Sequence, residues 1–404
     1  MKKRVVITGM GIVTSLGAGV DITALALEKS RPVISKIASF DTSKHRTNQG
    51  GEVNPEILER DFDKSTNFPL DRSSKLLLCA CREALESAKL VTSEKQRIKA
   101  PMIMGTTLGG MLAAQRFHRA MLLQEDICKY APLLGDALCR QPSHVASLLE
   151  VIGDIMVLNN ACASGLSAIG CAYKRVRLGK VAFAIAGGYD EMSDFTYAGF
   201  NALQLVTLDK YRPFDKNRSG LILGEGAGVV VVEELEHAIK RRATIYAEII
   251  GYGQTSDAYH ITKPDPEAKG AANAIRGAIE EALIKPEVID YVNAHGTGTP
   301  SNDIMEAKAL HLSLGAYAQE VPVSSTKPFT GHLLGAAGAA EAIFSVISLQ
   351  KNMIPENLNL ETPDPECRLN IVTGGSKKQD LKVVLSNSFG FGGSNSAMLF
   401  RKFE

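Results

Sequence analysis

Short apolar runs alternate along this chain with longer stretches in which apolar residues return every three or four positions. Residues 5–8, 101–104, 155–158, 181–186, 229–232, 289–292 and 383–385 are the short runs, and each predicts a buried strand. The stretch 71–90 places Leu76, Leu77, Ala80, Ala84, Leu85 and Ala88 on one side and predicts an amphipathic helix. Residues 166–173, 271–283 and 334–349 predict further helices, the first and last small and apolar enough to be buried. Gly9-Met10-Gly11 reads as a turn into a loop that ends near Gly19. Residues 30–70 lack periodicity and read as a surface excursion, while 111–150 read as helices with loops. Strands alternating with helices predict a layered α/β architecture. The alternation restarts near Ile245 without a literal repeat, so any duplication would be structural, with halves at 1–250 and 251–404.

Composition adds little to this picture beyond exclusions. A chain of 404 residues with 45% hydrophobic and 22% charged residues is an ordinary globular protein, large enough for two domains or one duplicated one. Its net charge of +1 gives no reason to expect nucleic acid or an acidic membrane surface as partner. The seven cysteines (79, 81, 128, 139, 162, 171 and 367) form an odd set without zinc-site spacing. Reduced thiols in a cytoplasmic protein, with no bound metal, is the expectation. The basic start followed by apolar residues imitates a secretory signal, but Gly9, Gly11 and Thr14 interrupt it. The most apolar stretch, 334–349, carries Glu341 and predicts a buried helix rather than a membrane span.

Chemistry enters where strands end. Asn159 to Gly165 joins a predicted strand to a predicted helix and holds Cys162 at the junction. There the unpaired N–H groups and the helix dipole favour the thiolate, the nucleophilic form. Taken alone, Cys162 has as its commoner reading a small core hydrophobe. Three further stretches follow strands: Asn293-Ala294-His295-Gly296-Thr297-Gly298-Thr299, then Lys327 with Gly331-His332, then Gly390-Phe391-Gly392-Gly393. Ligand sites in α/β proteins gather at such strand ends. Two histidines, a junction cysteine and a glycine-rich loop together point to catalysis. The Gly9–Gly11 region lacks the third glycine of a dinucleotide fingerprint, Thr14 taking its place, and that reading fails.

Taken together, Ala161-Cys162-Ala163-Ser164-Gly165, His295-Gly296-Thr297-Gly298-Thr299, Lys327 with Gly331-His332, and Gly390 to Gly393 resemble the elongating β-ketoacyl-acyl-carrier-protein synthases, the class with a Cys-His-His site. The likeness runs over nearly the whole chain, from Val5 through the Arg212-Pro213-Phe214-Asp215 loop. It implies the thiolase fold, two similar halves in five αβαβα layers, and a dimer formed by the strand before Cys162. It implies decarboxylative Claisen condensation with malonyl-acyl carrier protein.

On that resemblance Cys162 would carry the acyl group, and His295 and His332, as neutral N–H donors, would stabilise the malonyl enolate. The backbone N–H groups of Cys162 and Phe391 would form a second oxyanion pocket, with Phe391 also a gate. Lys327 would orient the site in an ion pair with Glu306. Thr297 and Thr299 would hold the phosphopantetheine arm delivered on the carrier protein, and Leu108 and Phe200 would line an acyl tunnel beside Thr107. Glu341 would sit near a structural monovalent cation or in an internal hydrogen bond. No cofactor is expected to be bound permanently. Arg72, Lys75, Arg116, Arg119 and Lys210 would form a basic patch for the acidic carrier.

Several rivals fare worse on the residues. A degradative thiolase needs a second cysteine in 388–396, which has none. Starter-type synthases carry asparagine where this chain has His332, and a non-catalytic chain-length factor would lack Cys162. A cysteine hydrolase would need no carrier. Gln204, Gly153-Asp154 and Thr107 depart from the common elongation pattern. They leave open a specialised polyketide or polyene synthase, as a homodimer or paired with a chain-length-factor-like subunit.

Overall fold

The computed structural model describes residues 2–60, 70–90, 97–128 and 140–404. Its elements, in chain order, begin with β1 (Val5–Thr14), α1 (Arg72–Ser87), β2 (Met102–Gly105), α2 (Met111–Leu122) and β3 (Ile155–Leu158). They continue with α3 (Ser164–Arg177), β4 (Phe183–Asp190), α4 (Asp194–Ala202), β5 (Gly226–Glu234), β6 (Ala247–Ser256), α5 (Lys269–Ala282) and β7 (Tyr291–Asn293). The last are α6 (Pro300–Leu314), β8 (Pro322–Ser324), α7 (Ala337–Lys351), β9 (Asn370–Ile371), β10 (Val383–Gly390) and β11 (Ser394–Arg401). The strands hydrogen-bond in the order β9-β8-β7-β10-β11-β6-β1-β5-β4-β2-β3. β1 and β6 join the two runs through Val5, Val6 and Ile7 alone.

Alternation along each strand divides the core into three. On β5, Val229 and Val231 face α1 with Leu76, Leu77 and Ala84, whereas Val230 and Val232 face the opposite way. On β10 and β11, Val384, Met398 and Phe400 point inward, and Val383, Leu385 and Leu399 point out toward Ile275 of α5 and Leu310 of α6. Between the two strand groups lie α3 and α7, contributing Leu166, Ile169, Ile343 and Ile347. The result is helix, sheet, helix, sheet, helix: the five αβαβα layers of the thiolase fold. A helix in the middle layer meets apolar neighbours all round. That is why α7 is buried from Ala337 to Leu349 and shows almost no polar face.

Two local expectations change. Gly9 and Gly11 are not a turn but the middle of β1. A Cβ on them would stand 2.2 Å from the Ala84 carbonyl oxygen and 2.0 Å from that of Ala80, so missing side chains let α1 lie directly on the strand. The glycine-rich stretch near Ser388 is also shorter than its composition suggests, because β11 resumes at Ser394 and pairs with β10 along its whole length. The helix predicted over 71–90 is α1, which starts at an N-cap, the Asp71 carboxylate accepting from Ser74 N at 2.7 Å.

Candidate active site

The carboxyl ends of β7, β8 and β10, which are parallel, and of β3 in the other half, open toward one cavity of about 310 Å³. Cys162, His295, His332, Phe389, Gly390 and Phe391 line it. A sharp elbow after β3 delivers the cysteine. Ala161 takes a left-handed φ of 50°, which costs a non-glycine residue on the order of 1 kcal/mol. The Ser164 hydroxyl braces the elbow, accepting from Asn160 N at 2.8 Å and donating to Ala161 O at 2.6 Å. Gly390 closes on its back: a Cβ there would lie 2.6 Å from Asn160 O and 3.2 Å from Cys162 N. This approach lets the Phe391 N–H hydrogen-bond the Cys162 sulfur.

The expected thiolate is not what this setting favours. Burial pushes the Cys162 thiol up to about 11, outweighing the opposing Lys327 charge and the Phe391 N–H. The sequence placed the sulfur at a helix end correctly, with Ala163 as the N-cap of α3, but not how closed its surroundings are.

Both imidazoles are buried, their rings edge to face with centroids 5.5 Å apart. Burial first, then the Lys327 charge, holds each well below the ordinary histidine range, so both are neutral near pH 7. Their tautomers follow from what occupies Nδ1. His332 Nδ1 accepts from the Leu334 N–H at 2.9 Å. His295 Nδ1 lies 3.0 Å from Lys327 Nζ, which donates to it. In each ring the proton is therefore on Nε2, and neither ring has a nitrogen free to act as a base.

Lys327 uses all three of its protons: on His295 Nδ1, on His295 O at 2.6 Å, and on the carboxylate of Glu341. This corrects the expected ion pair with Glu306. The Glu306 carboxylate instead accepts from His295 N at 2.8 Å and Gly296 N at 2.7 Å, fixing the backbone that carries the imidazole. Of the two settings expected for Glu341, the internal hydrogen bond is present, its donor being the lysine ammonium. Burial pushes both carboxyls up to about 7, against the backbone N–H groups for Glu306 and against Lys327 for Glu341. Among the described residues no cluster of three or more His, Cys, Asp or Glu side chains could hold a metal ion.

Thr297 and Thr299 line the same cavity, their hydroxyls 2.8 Å apart. Phe200 of α4 lines it too and stacks on Phe391, centroids 5.7 Å apart and planes at 20°. Thr107 and Leu108 do not line it. Their backbone N–H groups turn instead to the buried carboxylate of Asp190 at the end of β4, at 2.8 and 3.3 Å. Asp190 also accepts from Thr106 Oγ1 and, at 2.6 Å, from Gly335 N, three residues beyond His332. Asp257 and Lys263, which sequence reasoning did not single out, line the cavity as well, together with the buried Asn395. Only a polar residue close to a glycine-rich loop hinted at Asn395, and nothing hinted at the others.

Of the proposed basic patch, Arg72 is withdrawn: it is largely buried in an ion pair with Glu225 and donates to Val53 O at 2.7 Å. Lys75 and Lys210 each face a glutamate, Glu59 and Glu361, and Arg116 and Arg119 of α2 are exposed. None of the described cysteines, 79, 81, 128, 162, 171 and 367, is in a disulfide, and Cys139 lies outside the described residues. No helix among the described residues is long and apolar enough to cross a membrane.

Comparison with known proteins covers both halves. Residues 2–238 match the model of the beta-ketoacyl synthase N-terminal domain, and residues 246–361 that of the C-terminal domain. The chain is 38% identical to 3-oxoacyl-[acyl-carrier-protein] synthase 2 of Synechocystis sp., over 100% of this chain and 99% of that protein. Among solved structures, the ishigamide ketosynthase/chain length factor superposes with a TM-score of 0.93 at 30% identity, covering all of both chains. A beta-ketoacyl synthase from Burkholderia phymatum does so with a TM-score of 0.88 at 33% identity, again over both full lengths.

Proposed function

The chain belongs to the β-ketoacyl synthase family, and from that premise we propose how its own residues divide the work of a condensing acyltransferase. The overall reaction is decarboxylative condensation of an acyl thioester with malonyl-acyl carrier protein, giving a β-ketoacyl carrier thioester for fatty-acid elongation. One observation carries the assignment: a cysteine and two neutral imidazoles, each with its proton on Nε2, share one cavity.

Acyl transfer comes first. The Cys162 sulfur attacks the incoming thioester carbonyl, and the proton of its thiol ends on the departing carrier thiol, so no net base is needed. That balance suits a site whose histidines have no lone pair to spare. The oxyanion of this step faces the N–H groups of Cys162 and Phe391. In the second step the bond from the malonyl carbon to its carboxylate breaks, carbon dioxide leaves, and the electron pair stays as an enolate. The Nε2–H groups of His295 and His332 donate to the enolate oxygen. The enolate carbon then attacks the Cys162 thioester, expelling the sulfur, which takes a proton from water. Lys327 stays a fixed cation throughout, since all three of its protons are engaged. Glu306 positions His295, Thr297 and Thr299 hold the carrier's phosphopantetheine arm, and Phe391 on Phe200 gates the cavity.

A monovalent cation beside Glu341 belongs to the same reading. Ser386 Oγ and Asn387 Oδ1 of β10, the strand packed on the helix that carries Glu341, are buried without a hydrogen-bond partner, and unsatisfied oxygens of that kind suit a small cation. Such an ion would offset the buried negative charge. The division at residue 250, a cytoplasmic setting for the free thiols, and a homodimer are also part of the proposal. The half-exposed edge strand β3 supports the last, being free to pair with a second copy. Full-length identity of 38% to 3-oxoacyl-[acyl-carrier-protein] synthase 2 weighs against the polyketide alternative with a chain-length-factor-like partner, since identity to the ketosynthase/chain length factor is 30%.

The test offers the purified protein a panel of acyl-carrier thioesters and follows intact mass. Acyl mass should appear on Cys162 and disappear when malonyl-carrier thioester is added, with release of carbon dioxide. Hydrolysis of the thioesters without any covalent label would sink the assignment.

A further inference from the structure

We infer that Arg218, a buried arginine three residues beyond the Arg212-Pro213-Phe214-Asp215 stretch, is a positioning residue that sets the two threonines against the carrier's arm. The inference rests on the proposed function and adds to it a residue whose role concerns only how substrate is presented.

Arg218 is almost fully buried, and its guanidinium spans the seam between the loop 212–220 and the start of α6. Nε donates to Thr299 O at 3.3 Å, Nη2 to Pro300 O at 3.0 Å, and Nη1 to Asp215 O at 2.8 Å and to the Asp364 carboxylate. Asp303, wholly buried one turn into α6, lies 3.5 Å from Nε. Its carboxylate accepts from Gly298 N at 3.1 Å and Phe214 N at 2.8 Å. Gly298 O in turn accepts from Gly220 N at 3.0 Å. Gly298, between the two threonines, is thus held at its N–H by Asp303 of α6 and at its C=O by the loop that carries Arg218.

Geometry at Gly298 explains why this matters. The Thr297 and Thr299 hydroxyls stand 2.8 Å apart across Gly298, whose φ of 68° is a left-handed value that glycine adopts without strain. A turn of that kind keeps one shape only while its N–H and C=O stay engaged. Asp303 engages the N–H as a carboxylate, and burial opposes its ionisation; the Arg218 charge is the first influence favouring it. Without the guanidinium, Asp303 loses its counter-charge and Thr299 and Pro300 lose a donor each. The threonine pair then loosens, while His295 remains held at the other end of the loop by Glu306. Arg218 therefore acts on arm binding and not on the imidazoles.

The experiment compares two malonyl donors with Arg218→Lys, which keeps the charge but not the planar fork. Malonyl-carrier thioester bears the full arm, and malonyl N-acetylcysteamine bears only its last few atoms. We expect KM for the carrier thioester to rise about tenfold, the loss of one or two buried hydrogen bonds, with kcat little changed. With the short thioester kcat/KM should stay within about twofold of the parent. Combining Arg218→Lys with Thr297→Val should give less than the product of the separate effects, since both act on one contact. Equal losses with both donors, or a fully multiplicative double variant, would overturn the inference. Should Arg218→Lys fail to fold, amide exchange at Gly298 in Asp364→Asn, which weakens the same guanidinium, replaces it: faster exchange with an unchanged rate at Leu334 is expected, and unchanged Gly298 exchange refutes. If the parent itself condenses nothing from the carrier thioester, the proposed function fails and not merely this refinement.

Discussion

The two walls of the cavity are built on different principles. Around the imidazoles every polar atom that matters is tied to a named partner: Nδ1 of each ring, three lysine protons, and the Glu306 carboxylate on two N–H groups. Around the sulfur, shape does the fixing, through the left-handed Ala161 and glycine-on-backbone contact at Gly390. Donors aimed at developing charge must not reorient during reaction, which hydrogen bonds achieve. A nucleophile that attacks and then leaves needs clearance on one side, which only missing side chains provide.

Breaking the polar wall should have the largest effect. Lys327→Ala leaves Glu341 charged and unpaired, or forces it to take a proton, at a cost of about 3–5 kcal/mol in stability by denaturant melts. Glu341→Gln, which removes the stranded charge as well, should restore part of that loss in the double variant; additive losses would show that the pair is not coupled. Breaking the shaped wall comes next. Gly390→Ala drives a methyl against Asn160 O and moves the Phe391 N–H, so acyl transfer should fall about a hundredfold. Decarboxylation of malonyl-carrier thioester, which uses the other wall, should change far less, and single-turnover assays of the two half-reactions can tell them apart.

The smallest expected effect sharpens the contrast through pH. His332 is depressed in the folded protein, so the unfolded chain binds more protons below about pH 6.5 and stability drains as pH falls. His332→Gln lacks that titration. Between pH 6.5 and 5.5 the parent should therefore lose about 1 kcal/mol more than the variant. Parallel curves would mean that the imidazole is not buried neutral.

What was legible in the sequence follows the same divide. Cys162, His295 and His332 could be singled out because each stands in a polar or glycine-bearing stretch after a strand, a place sequence pattern locates well, whereas Phe391 was named only through the family resemblance. Which glutamate pairs with Lys327 could not, because Glu306 and Glu341 lie on two helices whose relative placement no local pattern encodes. The protonation of Cys162 was misjudged for a related reason: the helix end is local, but the burial that outweighs it is assembled from distant strands. Thr107 and Leu108 were drawn to the cavity by their position after β2, when Asp190, about eighty residues on, holds their loop elsewhere. Gly9 and Gly11 looked like a turn because a turn and a helix-bearing strand demand the same missing side chain.

The Asp190 carboxylate has a consequence for how such a protein can change. It clasps the segment after β2 and the segment after His332 in a single grip, two segments that would otherwise drift apart. A substitution that reshapes one will tug on the other, so an altered segment after β2 should need a compensating alteration beside Gly335 to keep the His332 ring in place.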